Sequence, residues 1–158
     1  MKRNRLLGSL AIAVLTVGLS ATASEAVVYS DSNITGYLPT TVGCDADATT
    51  KRSVYLKDKW GANVGFLELR YSLTCHAAWA RLTNYYTYVP YDQHSATAWI
   101  VRDTDGKTFS CDPPAGTFKS CYTKMVFDLD PRTAHAEAEI DPYPDYETPW
   151  ITAVTSSY

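Results

Sequence analysis

The sequence has no Cys-x-x-Cys pair, no Gly-x-Ser-x-Gly elbow, no His-Glu-x-x-His, no phosphate-binding loop and no Gly-x-Gly-x-x-Gly. Those absences remove the usual signatures of zinc ribbons, dithiol redox sites, serine hydrolases, zinc proteases and nucleotide-dependent enzymes. Histidine is scarce, with three in 158 residues. No amphipathic helix of any length shows in the pattern. Beyond the N-terminus no apolar run approaches the roughly 20 residues that cross a bilayer as a helix. Basic residues are outnumbered, 14 Lys and Arg against 17 Asp and Glu.

The basic residues that exist are unevenly placed. Lys2, Arg3 and Arg5 precede an apolar run from Leu6 to Leu19, followed by Ala21-Thr22-Ala23. A basic start, a short apolar centre and a small-x-small end describe a secretory signal peptide, with cleavage after Ala23 or after Ala26. The mature chain from Ser24 would then keep 11 basic and 17 acidic groups, a net charge of about −6. That balance argues against nucleic acid or anionic lipid as partners, since both need a basic face. The expected organisation is a signal peptide over 1–23, a partly ordered arm over 24–41, and one β domain over 42–158 ending in a Pro/Tyr-rich tail.

All four cysteines, Cys44, Cys75, Cys111 and Cys121, lie in the exported part. An even count in an oxidising compartment predicts two disulfides. Three pairings are possible, and closure between sequence neighbours favours Cys44–Cys75 with Cys111–Cys121. Cys75 precedes His76 directly, which raises the question of a nucleophile and its base. In an extended chain adjacent side chains point to opposite faces, whereas such a pair must meet at about 3 Å. Cys75 is therefore read as half of a bridge and His76 as a surface or edge residue.

The dominant period is two. Leu67, Leu69, Tyr71 and Leu73 alternate with Glu68, Arg70 and Ser72; Ala134, Ala136, Ala138 and Ile140 alternate with His135, Glu137, Glu139 and Asp141. Such alternation marks strands with one buried and one wet face. Further strand-like runs cover 53–57, 78–85, 96–103, 107–111, 124–128 and 149–154. Gly61-Ala62-Asn63, Asp105-Gly106, residues 112–116 and residues 141–145 separate them as turns. The fold class is all-β, a single antiparallel barrel or sandwich of roughly seven to nine strands stapled by two disulfides.

Aromatic residues are the most suggestive feature, with 12 tyrosines and four tryptophans. Tyr85, Tyr86, Tyr88 and Tyr91 cluster around Pro90. Trp79 and Arg81 share one strand face, where the guanidinium can lie over the indole. Trp99 falls on the next strand, within cross-strand reach. Together these seven residues are candidates for a ligand-binding surface. Packing inside the core is the competing use of the same residue types. Asp45 and Asp47 in "GCDADATT" have a spacing open to a cation, but the distal Glu of a calcium loop is missing and turns use the same residues. The His135, Glu137, Glu139 and Asp141 face reads as a solvated strand face.

Three blocks, "GCDADATT", "LELRYSLTCHAAWARL" and "SCYTKMVFD", resemble the YjfA-like family of small secreted bacterial proteins of unknown function. They run from Gly43 to Asp128. The resemblance implies recurrence of Cys44, Cys75 and Cys121, of Trp79 and Arg81, and of Glu68 and Arg70. It supplies no catalytic residue. The tail from His135 to Tyr158 departs from the pattern. The expected function is non-catalytic binding of a glycan, peptide or protein at or outside the cell envelope, by a monomer that needs no cofactor. The alternatives are a secreted effector or toxin, and a small hydrolase built on distant carboxylates such as Glu68 and Asp103.

Overall fold

The structure, a computed structural model, describes residues 27–85, 96–114, 118–141 and 149–158. The signal-peptide reading and the candidates Tyr86, Tyr88 and Tyr91 lie outside these residues. Among the described residues a one-turn helix α1 (Asp31–Ile34) precedes nine strands: β1 (Thr49–Lys57), β2 (Asn63–Ser72), β3 (Ala77–Asn84), β4 (Ala96–Arg102), β5 (Thr108–Cys111), β6 (Lys119–Tyr122), β7 (Val126–Phe127), β8 (Ala134–Ile140) and β9 (Ile151–Val154). They form two antiparallel sheets. The first has the order β1-β2-β3-β6, with β7 also paired to β3, and the second has the order β5-β4-β8-β9. Of the two expected all-β architectures, the chain adopts the sandwich.

Turn chemistry sets two of the hairpins, β1–β2 and β4–β5. Asp58 accepts hydrogen bonds from the backbone amides of Trp60 and Ala62 at 2.9 and 2.8 Å. Gly61 takes φ +85°, a region that side-chain-bearing residues rarely enter. That turn fixes the β1–β2 register, in which Tyr55 faces Phe66 and Ser53 faces Glu68. The Asp105-Gly106 turn closes β4 on β5, with the Arg102 amide bonded to the Lys107 carbonyl at 2.9 Å.

The alternating apolar residues meet between the sheets. Leu67, Leu69 and Tyr71 of β2 and Ala78, Ala80 and Leu82 of β3 pack against Ala98 and Ile100 of β4 and Ala134, Ala136, Ala138 and Ile140 of β8. The many alanines let the layers approach closely. A side chain at Gly65 would meet the Ile140 methyl at 2.6 Å, so that position accepts only glycine without repacking. Cys111 on β5 and Cys121 on β6 join the two sheets by a disulfide, with Cα atoms 5.8 Å apart.

A third layer covers part of the outer face of the first sheet. Residues 27–48 cross it, and Ile34 and Cys44 pack on Ala77, Trp79, Met125 and Phe127. The Cys44–Cys75 disulfide pins this arm to the β2–β3 turn. Gly36 and Tyr37 exchange backbone hydrogen bonds with Met125 at 2.9 and 2.8 Å. Arg102, almost fully buried, donates to Asp31 at 2.7 Å, to Asp105 at 2.6 Å and to the Phe127 carbonyl at 3.1 Å. One guanidinium thus ties the arm, β4 and β7 together.

Three expectations change. Leu73 leaves the β2 alternation for the turn and stands exposed, because the chain reverses at Leu73–His76. Glu68, read as solvent-facing, is buried on the outer face by the residues around it. β3 and β4 are consecutive in the chain but belong to different sheets, so Trp99 has no cross-strand contact with β3.

Candidate functional site

The outer face of the first sheet gathers residues from β1, β2, β3 and β6 on rigid backbone. Its register aligns Ser53, Glu68, Arg81 and Tyr122 in one cross-strand row and Tyr55, Phe66, Thr83 and Ser120 in the next. The rings of Tyr55 and Phe66 lie 4.6 Å apart, and those of Tyr85 and Phe118 5.2 Å apart. Tyr55, Tyr122 and Phe118 are exposed, while Phe66 and Tyr85 are half-buried. Thr83 and Ser120 share a 2.7 Å hydroxyl contact between them. The result is a band of aromatic rings with one polar step in it.

Toward the arm this band ends in a charged knot. Arg81 donates from Nε to Glu68 Oε2 and pairs with the same carboxylate through Nη2. Glu68 Oε1 accepts from the Thr50 hydroxyl at 2.7 Å and lies 3.8 Å from Arg70. Arg70 donates to Thr50 at 2.7 Å and to the Ala48 carbonyl at 3.1 Å. Burial works against the charge on Arg81, but hydrogen bonds to Glu68 and Tyr122 outweigh it and hold the guanidinium more firmly protonated. Burial, with the charges of Tyr55 and Glu68, raises the Tyr85 phenol above its usual range.

Beyond the knot lies a cleft of about 240 Å³. Pro39, Thr40, Asp45 and Ala48 of the arm form one side, and Arg70, Trp79, Arg81 and Tyr122 of the sheet form the other. Trp79 is 1% exposed and lies beneath the arm. Its Nε1–H is buried without a hydrogen-bond partner among the described residues, a costly state for a donor.

The sequence candidates therefore divide. Trp79, Arg81 and Tyr85 share the outer face of the first sheet, with Trp79 as floor rather than surface. Arg81 is engaged by Glu68 instead of the Trp79 indole. Trp99 pairs with Ser110 and Glu137 on the second sheet, so it faces away from the others. Asp45 lies on the rim of the cleft. Asp47 accepts from the Ser72 hydroxyl at 2.5 Å and the Thr74 amide at 2.8 Å, which makes it an anchor for the β2–β3 turn. Among the described residues no group of three or more His, Cys, Asp or Glu is arranged to hold a metal ion. Tyr55, Phe66, Phe118, Tyr122 and Thr50 were missed. Counting outward from the Gly61 turn pairs Tyr55 with Phe66, and Tyr122 must face away from the core that Cys121 enters; both signals were available.

The remaining acidic groups sit elsewhere. His135 lies between Asp103, 2.5 Å from Nδ1, and Glu137, 3.0 Å from Nε2. Asp103 also accepts from Thr133 at 2.7 Å. This cluster belongs to the second sheet, whereas Glu68 belongs to the opposite outer face, so the two carboxylates of the hydrolase reading do not share a cleft.

Comparison with known proteins gives a family without an assigned activity. The model of a protein of unknown function, DUF2690, matches residues 32–137. The uncharacterized protein YjfA of Bacillus subtilis (strain 168) is 41% identical over 99 residues, which cover 59% of this chain and 62% of YjfA. The chain thus spans about three fifths of that relative's length. No solved structure matches. The match runs from the arm into β8 and takes in the cleft and the whole aromatic band, and the chain belongs to the DUF2690 family of proteins of unknown function.

Proposed function

We propose that this protein is a secreted, non-catalytic glycan-binding domain that works through the outer face of its first sheet. The observation that carries the reading is the aromatic band of Tyr55, Phe66, Tyr85, Phe118 and Tyr122 ending at the Arg81–Glu68 pair. Sugar rings have apolar faces that stack on aromatic side chains, and hydroxyls that suit paired charged groups. A peptide captured by a sheet takes its main-chain hydrogen bonds from an open edge. Here the band runs across the face of the sheet from Tyr55 on β1 through Phe66 on β2 to Tyr122 on β6, so what it offers is side chains standing off the sheet rather than backbone groups at an edge. Rigid strands keep the rings ordered before binding, which lowers the entropy cost of association. Export is supported by the N-terminal pattern and by two disulfides, which persist in oxidising compartments.

The test is binding of the purified, oxidised protein to a panel of cell-wall and extracellular polysaccharides. Tyr122→Ala, and separately Tyr55→Ala, should weaken the strongest interaction roughly tenfold, as loss of a buried aromatic anchor does. Trp99→Ala on the opposite sheet should leave it within about twofold. Unchanged binding by both tyrosine variants would put the working surface elsewhere.

A further inference from the structure

We propose that the cleft at the arm end of this face is a subsite for one acidic sugar residue, whose carboxylate is held by Arg70 and Arg81. The proposal rests on the glycan-binding reading and adds the chemistry of one position within the ligand.

The argument is the balance of donors and acceptors. A guanidinium has five N–H donors and no acceptor. Arg70 uses Nη1 on Thr50 and Nη2 on Ala48. Arg81 uses Nε and Nη2 on Glu68, and its contact with Tyr122 adds one more. Both oxygens of Glu68 are occupied, one by Thr50 and one by Arg81. Trp79 forms the cleft floor, with its Nε1–H, unpartnered among the described residues, buried beneath the surface rather than offered to the cleft. On the sheet side of the cleft, then, the free hydrogen-bonding capacity of these charged groups consists of guanidinium donors. A ligand that fits must bring acceptors, and a carboxylate brings two oxygens in the geometry that guanidinium groups bind best.

Two further observations narrow the ligand. The cleft, at about 240 Å³, is smaller than the roughly 300–1,000 Å³ typical for drug-sized molecules. It takes one residue of a chain, with the neighbouring sugars lying along Tyr122, Phe66 and Tyr55. Asp45 on the rim and the net negative charge of the mature chain repel a run of acids. The expected ligand has an isolated uronic acid among neutral sugars, not a polyanion.

Three probes test this on the oxidised, full mature protein by calorimetry. They are a tetrasaccharide with one glucuronic acid, its methyl ester, and the neutral tetrasaccharide with glucose at that position. The acid should bind roughly ten- to hundredfold tighter than the ester, the range for hydrogen bonds to a charged group. That preference should shrink as salt rises. Removing Arg81 alone would strand Glu68, so the informative variant is the double change E68Q/R81Q, in which the acid-to-ester ratio should fall severalfold, to what Arg70 alone sustains. Equal binding of acid and ester by the unaltered protein overturns the subsite while the glycan reading stands. Failure of all three probes, together with failure of the polysaccharide panel, overturns both.

Discussion

Asp128 holds a carboxylate inside the protein with no hydrogen bond to either oxygen among the described residues. Burial raises its pKa to about 7, and nearby Asp103 adds to the shift, while Arg102 and Arg132 oppose it. An unfolded aspartate titrates near 3.8. The folded state therefore binds the extra proton between about pH 4 and pH 7, and stability falls as pH rises through that window. The cost of ionising Asp128 above pH 7 is roughly 2–4 kcal/mol. Asp128→Asn should flatten the slope of unfolding free energy between those pH values, measured by denaturant titration. A variant with the same slope as the parent protein would show that another group carries the dependence. Glu68 is the instructive contrast, because it is just as buried but accepts from Thr50 and Arg81. Burial is tolerable for an acid whose oxygens are all met.

The two disulfides act on different elements and should differ in strength. Cys44–Cys75 closes a separation of 31 residues and fixes the arm, while Cys111–Cys121 closes 10 and joins the sheets. Loop entropy alone gives about 3.7 kcal/mol for the first and about 2.7 for the second. Replacing Cys44 and Cys75 by alanine should lower the melting temperature more than replacing Cys111 and Cys121, and it should also expose Trp79, seen as a red-shifted tryptophan emission. Equal losses with no change in emission would mean that the arm stays docked through Arg102 and Met125 alone. Both pairings were favoured from the sequence, because each joins neighbouring cysteines. Most strands were legible too, since period two in β2, β4 and β8 follows from a single buried face. β6 was missed because Lys119–Tyr122 is short and two of its four residues are exposed. The burial of Trp79 and Glu68 was not legible, for a general reason. Alternation reports one core, whereas their outer face is covered by a separate segment that carries no periodic signal of its own. The separation of Trp99 from Trp79 depended on a sheet change between β3 and β4, which strand patterns alone do not encode.

For the whole molecule the charged groups combine into a stability profile that peaks on the acid side of neutrality. The hydrogen bond from Arg102 holds Asp31 and Asp105 below the ordinary range. Burial opposes the same shift in Asp47 and Asp103, but Ser72 and Thr74 on one, and Thr133, His135 and Ser157 on the other, bring it about. A lowered carboxylate stabilises above its unfolded pKa, near 3.8 here, and that contribution disappears as pH falls below it. His135 behaves oppositely. Burial would lower its pKa, but Glu137 and Asp103 raise it above 6.5, so its contribution is complete below 6.5 and is lost as pH climbs through the folded value. Asp128, and Glu139 whose pKa burial also raises, likewise weaken the fold as pH rises above the ordinary carboxylate range. The carboxylates thus set the acid limit, and Asp128, Glu139 and His135 set the alkaline one. Thermal unfolding across the range should show its highest midpoint between about pH 4 and 5, with a steady decline toward pH 8. His135→Gln should remove part of the decline above pH 6.5 without shifting the acid limb by more than the loss of one Asp103 contact. A midpoint that is higher at pH 8 than at pH 5 would contradict the assignment of Asp128 and His135 as the groups whose protons the fold retains.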